Sequence, residues 1–181
     1  TTFCSGARKV LPVSVKQTIP EGFYVRDHNL IHNHRGEDYK IGALDQFETL
    51  RGLHNYQNMA CVYVAAKELG LNDEDIFKAF ANYGGLPHRQ YLVGQKNRVS
   101  YINDSKATNA EAAAKALSSY DNIFWIIGGR AKEGGLEGLE IFKDRVQKTY
   151  VIGECAQEFG QWLLHHGFGF EINETLDVAT A

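Results

Sequence analysis

From residue 99 to the end of the chain, short apolar runs alternate with segments of helical periodicity. Strands are predicted over residues 99–102, 123–127, 149–152 and 168–172, and helices over residues 109–117, 136–146 and 155–165. Strands and helices that alternate in this way form right-handed crossovers, so the pattern predicts an α/β domain with a doubly wound, mostly parallel sheet. Ligands of such sheets bind beyond the carboxyl ends of the strands, which makes polar residues after each strand the first site candidates.

The first part of the chain has a different pattern, in which strands precede two helices. Strands are predicted over residues 10–15, 23–26, 30–32 and 39–44. The sequence Asp27-His28-Asn29 favours a turn, because asparagine and aspartate tolerate a left-handed backbone. It therefore predicts a hairpin from Phe23 to His34.

Two helices are predicted after these strands. Apolar residues recur at three- and four-residue spacing from Asn55 to Leu69, and Gly70 follows where a helix C-cap glycine belongs. Asn72 is predicted to cap the second helix, because three carboxylates follow it at the positive end of the helix dipole. This helix is expected to end before Gly84.

The pattern changes at Gly84-Gly85-Leu86-Pro87. Two β runs, at residues 91–93 and 99–102, follow this segment and flank the turn-like sequence Gly94-Gln95-Lys96-Asn97. We therefore predict two domains, residues 1–85 and residues 86–181.

Charge and cysteine content argue against several classes of protein. The 181 residues carry 19 Lys and Arg against 22 Asp and Glu, a net charge of -3, which argues against a nucleic-acid partner. No apolar run approaches the ~20 residues that span a bilayer, so no membrane partner is predicted. The 3 cysteines, Cys4, Cys61 and Cys155, lack CxxC spacing; they predict neither disulfides nor zinc and indicate a reducing, cytoplasmic compartment.

Both ends of the chain indicate a piece of a longer protein. The only methionine is Met59, and residues 173–179 have the pattern of a helix cut after one turn. We expect an excised fragment that is catalytically inactive alone.

The first candidate cluster is Gly52-Leu53-His54-Asn55-Tyr56-Gln57-Asn58, which enters the long helix. The Asn58 amide offers a donor and an acceptor, which suits the edge of a purine. The alternative is that Asn55 and Asn58 only cap the helix.

The second cluster is Leu86-Pro87-His88-Arg89, and the third is the run from Tyr101 to Asn109. Arg89 presents a planar fork that suits phosphate oxygens, unless it is an ordinary surface arginine. In the third cluster Lys106 and the start of a helix both attract anions, and Asp104 can accept hydroxyl hydrogen bonds. The alternative there is a capped turn with solvated charges.

The fourth cluster, residues 127–135, is rich in glycine and contains Lys132, a cation for a carboxylate or phosphate. It matches neither of the two common glycine-rich nucleotide motifs. His32 and His34 share one face of the predicted hairpin, but no third ligand is apparent, so no metal site is predicted.

In this order the clusters resemble the Mur ligase family. Residues 52–58 are similar to its G-x-H-N-x-x-N segment, residues 86–89 to its L-P-H-R, and residues 102–109 to its I-N-D-S-K-A-T-N. The third motif resembles the branch of the family that adds D-glutamate to UDP-N-acetylmuramoyl-L-alanine. The sequence departs from the family pattern after Lys132, where Glu133-Gly134-Gly135 follows.

The resemblance implies a three-domain enzyme of peptidoglycan synthesis. Residues 1–85 would be the end of its central ATP-binding domain, and residues 86–181 the first part of a Rossmann-like C-terminal domain. The UDP-binding domain, the phosphate loop and the Mg²⁺ ligands would lie outside this chain. A cytoplasmic monomer is expected, with ATP and small-molecule substrates as its ligands.

The resemblance also implies roles for single residues. Asn58 would contact adenine, Arg89 the nucleotide phosphates and Asp104 the ribose hydroxyls. Thr108 and Lys132 would bind a carboxylate of D-glutamate. Lys106 would act with Arg89 as a catalytic cation where the domains meet.

The implied chemistry is amide formation through an acyl phosphate, because a carboxylate needs a leaving group before an amine attacks it. Phosphoryl transfer requires cations and positioning more than covalent protein chemistry. Two alternatives stay open at this stage. One is a non-catalytic nucleotide-binding or regulatory module, and the other is a folyl-polyglutamate-type ligase.

Overall fold

The computed structural model describes residues 10–130, 134–173 and 175–180. By their contacts these residues form two compact units, one that ends at Gly84 and one that begins at Gly85. Each unit has its own apolar core.

The first unit contains a four-stranded sheet in the order β1-β2-β3-β4. Its strands are β1 (Val13–Ser14), β2 (Gly22–Arg26), β3 (Asn29–His34) and β4 (Glu37–Ala43). β1 is parallel to β2, and the other pairs are antiparallel. Asp27 and His28 have φ values of 50° and 61°, the two left-handed residues that a tight two-residue hairpin turn needs. The predicted hairpin is confirmed.

Two helices cover this sheet, α1 (Leu53–Glu68) and α2 (Asp73–Ala81). α1 ends at Glu68, and Gly70, with a φ of 87°, supplies the left-handed residue that often follows a helix C-terminus. The Asn72 side chain accepts a hydrogen bond from the Asp75 N–H at 2.8 Å, so its predicted capping role is confirmed. The buried face of α1, which includes Met59 and Tyr63, packs in one cluster with strand residues such as Leu30.

The second unit opens with a two-stranded antiparallel sheet, β5 (Tyr91–Lys96) and β6 (Val99–Asn103). Its turn is Asn97-Arg98, with φ values of 51° and 65°, so the prediction of a turn over residues 94–97 was wrong. Gly94 instead pairs with Tyr101 beside an irregularity in the ladder. Two consecutive left-handed residues decide the position of such a turn.

A three-stranded parallel sheet in the order β7-β8-β9 forms the rest of the second unit. Its elements are α3 (Ala110–Leu117), β7 (Ile123–Gly128), β8 (Val146–Ile152), α4 (Ala156–His165), β9 (Phe170–Ile172) and α5 (Leu176–Thr180). The prediction of an α/β class with a parallel sheet is confirmed. Residues predicted as a helix at 136–146 contain only a 3₁₀ segment, Glu140–Arg145, because Gly138 at φ 83° interrupts the helical backbone.

The core of the second unit lies on one face of this sheet. Trp125 of β7 and Val151 of β8 point to it, and α3 and α4 cover it with residues such as Leu117 and Leu163. β7 and β8 both end at the same edge, so the loops that follow them lie together. Within the described ranges, no helix combines the length and the apolar character that a bilayer span requires.

Candidate functional site

Two loops of the second unit meet beside the β5–β6 sheet. The Lys106 N–H donates a hydrogen bond to the His88 carbonyl at 3.0 Å. The Gln90 N–H donates to Asp104 Oδ1 at 2.9 Å. These bonds join the second and third sequence clusters into one site, defined here as the 86–90/103–108 junction.

The His88 side chain adds a third connection across the junction. Its Nδ1 lies 3.2 Å from Asn103 Nδ2 and 3.2 Å from Ser105 Oγ. Asn103 Oδ1 in turn accepts the Ser105 N–H at 3.1 Å. One imidazole nitrogen therefore contacts two side chains of the loop that carries Lys106.

The backbone around Arg89 is sharply turned. His88 and Gln90, on either side of it, have φ values of 65° and 45°. The Arg89 N–H donates to the Leu86 carbonyl at 3.1 Å, which closes this turn. A non-glycine residue in the left-handed region carries a conformational cost, so the hydrogen bonds of the junction must offset it.

The loop that carries Lys106 is equally tight. The Ala107 N–H donates to the Asp104 carbonyl at 2.7 Å, and the Thr108 N–H donates to the Lys106 carbonyl at 2.9 Å. Asn109 then caps α3, because its Oδ1 accepts the Ala112 N–H at 2.8 Å. The loop therefore enters the helix with Thr108 just before the cap.

Arg89 and Lys106 are both exposed and belong to segments that touch each other. Within the described part of the chain, no carboxylate lies at ion-pairing distance from either side chain. Exposed cations on two touching segments attract a multiply charged ligand, such as a phosphate chain.

Asp104 belongs to the same junction and is half-buried. Burial raises the pKa of the Asp104 carboxyl, while the Gln90 N–H and the nearby Arg89 charge oppose that shift. Burial removes part of the hydration of the Asp104 carboxylate, so this site disfavours the ionised form of the side chain. Such a carboxylate gains from hydroxyl donors that a ligand supplies.

The raised pKa of Asp104 predicts the pH dependence of an Asp104→Asn variant. Asparagine keeps an oxygen that can accept the Gln90 N–H but removes the charge. The folded-state pKa lies above the ordinary aspartate value of about 3.9, so between these two pKa values the folded protein holds a proton that the unfolded chain has released. The free energy of unfolding of wild type therefore falls, relative to that of the variant, as pH rises from the lower pKa through the higher one. At neutral pH we expect Asp104→Asn to unfold at the higher temperature.

The check is the difference in melting temperature between the two proteins at a series of pH values from acidic to neutral. The control is Asp144→Asn, which removes an exposed aspartate of the same unit. A difference that stays constant with pH, or that favours wild type at neutral pH, contradicts this account of Asp104.

The fourth sequence cluster follows β7 at the edge of the parallel sheet. A Cβ added to Gly128 would lie 1.9 Å from the Ile152 carbonyl oxygen, so only glycine fits there. The Gly129 N–H donates to that carbonyl at 3.3 Å, and Cys155 N–H and Sγ reach the Gly129 carbonyl at 3.1 and 3.0 Å. Lys132, predicted to bind a substrate carboxylate, lies outside the described residues.

Arg130 continues this contact between the ends of β7 and β8. Its Nε and Nη2 reach the two carboxylate oxygens of Glu154 at 3.0 and 3.2 Å. Both side chains are exposed, so we expect this ion pair to contribute little to the free energy of unfolding. Its main effect is to orient Arg130 relative to Glu154.

The first cluster, at the start of α1, belongs to the other unit. Gly52 occupies the N-cap position, so the interpretation of Asn55 as the cap was wrong. Asn55 Nδ2 donates to the Arg51 carbonyl at 2.9 Å, and Asn58 Nδ2 approaches Asn55 Oδ1 at 3.5 Å. Asn58 is exposed, and its amide lies on the first turns of the helix.

Two histidines of the first hairpin have partners within their own unit. His32 stacks on Phe23, and His34 Nδ1 lies 2.9 Å from Glu21. Across the ranges that the structure covers, no group of three His, Cys, Asp or Glu residues has the arrangement of a metal site.

His88, Asn103 and Ser105 were placed within the second and third sequence clusters without a role, and Gln90 was missed. The contacts across the junction join residues 14 to 18 positions apart, and no local pattern of residue types predicts such pairs. One feature of the sequence could have predicted these contacts. The two clusters flank the β5–β6 hairpin, and the two ends of a hairpin lie close together.

Comparison with known proteins identifies sequence relatives of this chain. No family model matches the chain. It is 42% identical over 171 residues to the UDP-N-acetylmuramoylalanine--D-glutamate ligase of Agrobacterium fabrum, covering 94% of this chain and 36% of the relative. For the ligase of the same name from Rhizobium johnstonii the identity is 43% over 173 residues, 96% of this chain and 37% of the relative.

The fold resembles that of MurF from Acinetobacter baumannii. The TM-score is 0.52 at 17% identity, over 87% of this chain and 36% of that chain. The chain thus spans little more than a third of the length of the proteins that it matches. By the sequence of its relatives, the chain belongs to the Mur ligase family, of which it matches one segment.

Proposed function

We propose that the protein containing this chain is an ATP-dependent ligase that joins D-glutamate to UDP-N-acetylmuramoyl-L-alanine in peptidoglycan synthesis. The names of the relatives support the substrates. The observation that carries the chemistry is the 86–90/103–108 junction, which holds the exposed cations Arg89 and Lys106 beside the Asp104 carboxylate.

In this proposal the two units correspond to parts of two domains. Residues 1–85 form the end of the central ATP-binding domain, and residues 86–181 form the first part of the C-terminal domain. Asn58 hydrogen-bonds the adenine edge, Asp104 accepts the ribose hydroxyls, and Arg89 binds phosphate oxygens. The raised pKa of Asp104 supports its role, since ribose hydroxyls would return the hydrogen bonds that burial has removed.

The proposed reaction has two steps. The terminal phosphoryl group of ATP passes to the carboxylate of UDP-N-acetylmuramoyl-L-alanine, which forms an acyl phosphate and releases ADP. The amine of D-glutamate then attacks the acyl carbon and expels phosphate. Arg89 and Lys106 stabilise the charge that shifts along the phosphate chain in the first step.

Thr108 and Lys132 would hold the amino acid by its carboxylate groups. D-glutamate has two carboxylates, so a hydroxyl and an ammonium are suitable partners. Mg²⁺ would supply further charge neutralisation, but the described residues contain no group that fits this ion. Its ligands are expected in other parts of the full-length protein, and no step here depends on them.

The test is a ligase assay on the full-length protein with ATP, UDP-N-acetylmuramoyl-L-alanine and D-glutamate. Thr108→Ala and Lys132→Ala should each raise the KM for D-glutamate by about tenfold or more, since a charged hydrogen bond contributes about 1.5 to 3 kcal/mol. Lys148→Ala, on β8 and paired with Glu171, is the control and should leave that KM unchanged.

Other results would refute parts of the proposal. Turnover with a different amino acid would refute the substrate. Nucleotide binding without any ligase activity would instead favour a regulatory nucleotide-binding module.

A further inference from the structure

We propose that His88 is a positioning residue, which aligns Arg89 with Lys106 through an unprotonated Nδ1 atom. The inference rests on the proposed function for the importance of those two cations. The contact itself is independent of that function, since it follows from the geometry of the junction.

The protonation state of His88 follows from its neighbours. Asn103 Oδ1 accepts the Ser105 N–H at 3.1 Å, which orients the amide so that its Nδ2 group faces His88. An amide NH₂ can only donate, so the imidazole Nδ1 at 3.2 Å must accept. The ring proton therefore resides on Nε2, and the Ser105 hydroxyl, also at 3.2 Å, can donate to the same Nδ1.

His88 occupies the position from which it can align both cations. Its carbonyl accepts the Lys106 N–H, and Arg89 is the next residue in the chain. The left-handed φ of 65° at His88 is a costly conformation, which its side-chain contacts help to hold. Loss of those contacts would allow the turn to relax and would move Arg89 relative to Lys106.

Protonation would have the same effect as loss of the side chain. An N–H at Nδ1 would face the Asn103 NH₂ group, donor against donor. The charged groups on the two segments are Arg89, Lys106 and Asp104, so a histidinium would add a third positive charge near a single carboxylate. A proton on Nδ1 is therefore incompatible with the contact that Asn103 Nδ2 makes there.

Three substitutions separate this role from a general effect on folding. In His88→Asn, Oδ1 lies the same number of bonds from Cβ as Nδ1 does, and asparagine tolerates the left-handed backbone. In His88→Gln the oxygen lies one bond farther out, and His88→Ala has no acceptor. We expect kcat of the full-length enzyme to fall about 10- to 100-fold in the Gln and Ala variants, since misplaced catalytic groups cost up to about 100-fold. The Asn variant should keep most of the wild-type kcat.

The KM for D-glutamate should stay at its wild-type value in all three variants. Equal activity in all three variants, or equal loss in the Asn and Ala variants, would overturn the inference.

A measurement without turnover separates this inference from the proposed function. Nitrogen-15 NMR of histidine-labelled full-length protein, with His88→Asn to assign the signal, reports which ring nitrogen carries the proton. A protonated Nε2 and a bare Nδ1 are expected at neutral pH. A proton on Nδ1 would overturn the inference even in an active enzyme, whereas absence of ligase activity with a bare Nδ1 would refute only the proposed function.

Discussion

Replacement of Arg89 by alanine in the full-length protein is expected to lower kcat/KM for ATP about 100- to 1000-fold. Removal of one preorganised group that stabilises transition-state charge typically costs this much. Arg89 is exposed at a tight turn whose backbone bonds to the Lys106 loop, so its loss removes one of the two exposed cations of the junction. The measurement is steady-state kinetics with ATP as the varied substrate.

Two further variants show whether the effect depends on charge or on geometry. Arg89→Lys keeps the charge but loses the planar fork, so an intermediate loss is expected. Lys96→Ala removes an exposed cation of β5 in the same unit and should leave kcat/KM unchanged. A loss below tenfold in Arg89→Ala would contradict a direct contact between Arg89 and the nucleotide phosphates.

Gly128→Ala is expected to destabilise the second unit by about 3 kcal/mol or more, the upper part of the range for overpacking. Its new Cβ would lie 1.9 Å from the Ile152 carbonyl oxygen and 2.7 Å from the carbonyl carbon. These atoms belong to the backbone of the neighbouring strand, so no side-chain rotation can relieve the overlap. The ends of β7 and β8 would have to separate, which would also disturb the bonds of Gly129 to Ile152 and Cys155.

Urea unfolding followed by tryptophan fluorescence tests this expectation. Both tryptophans of the chain, Trp125 and Trp162, lie in the second unit, so the signal reports on that unit. The control is Gly94→Ala, because an added Cβ at Gly94 meets nothing within 4 Å. Equal unfolding midpoints for the two variants would show that the junction of β7 and β8 adapts more easily than its geometry indicates.

Local interactions explain which predictions succeeded. The turn at Asp27-His28 and the cap at Asn72 each depend on residues within three positions of one another. Such features follow from the conformations that single residues prefer. The predicted turn over residues 94–97 failed although it lay among suitable residues, because pairing of β5 with β6 selected Asn97-Arg98 instead.

The candidate site could be predicted only in part. Arg89, Asp104 and Lys106 stood out because their residue types suit a nucleotide and because they follow predicted boundaries. Nothing local indicated that the His88 carbonyl receives the Lys106 N–H or that Asp104 receives the Gln90 N–H. These partners are brought together by the hairpin between them.

The sequence by itself therefore determined the α/β class, the main helices and strands and the segments that carry polar site residues, since periodicity and caps are local properties. The tertiary structure alone decided which of those segments touch, how burial raises the pKa of Asp104 and why position 128 admits only glycine. The physical reason is that hydrogen bonds, desolvation and steric overlap depend on distances between residues that are far apart in the chain.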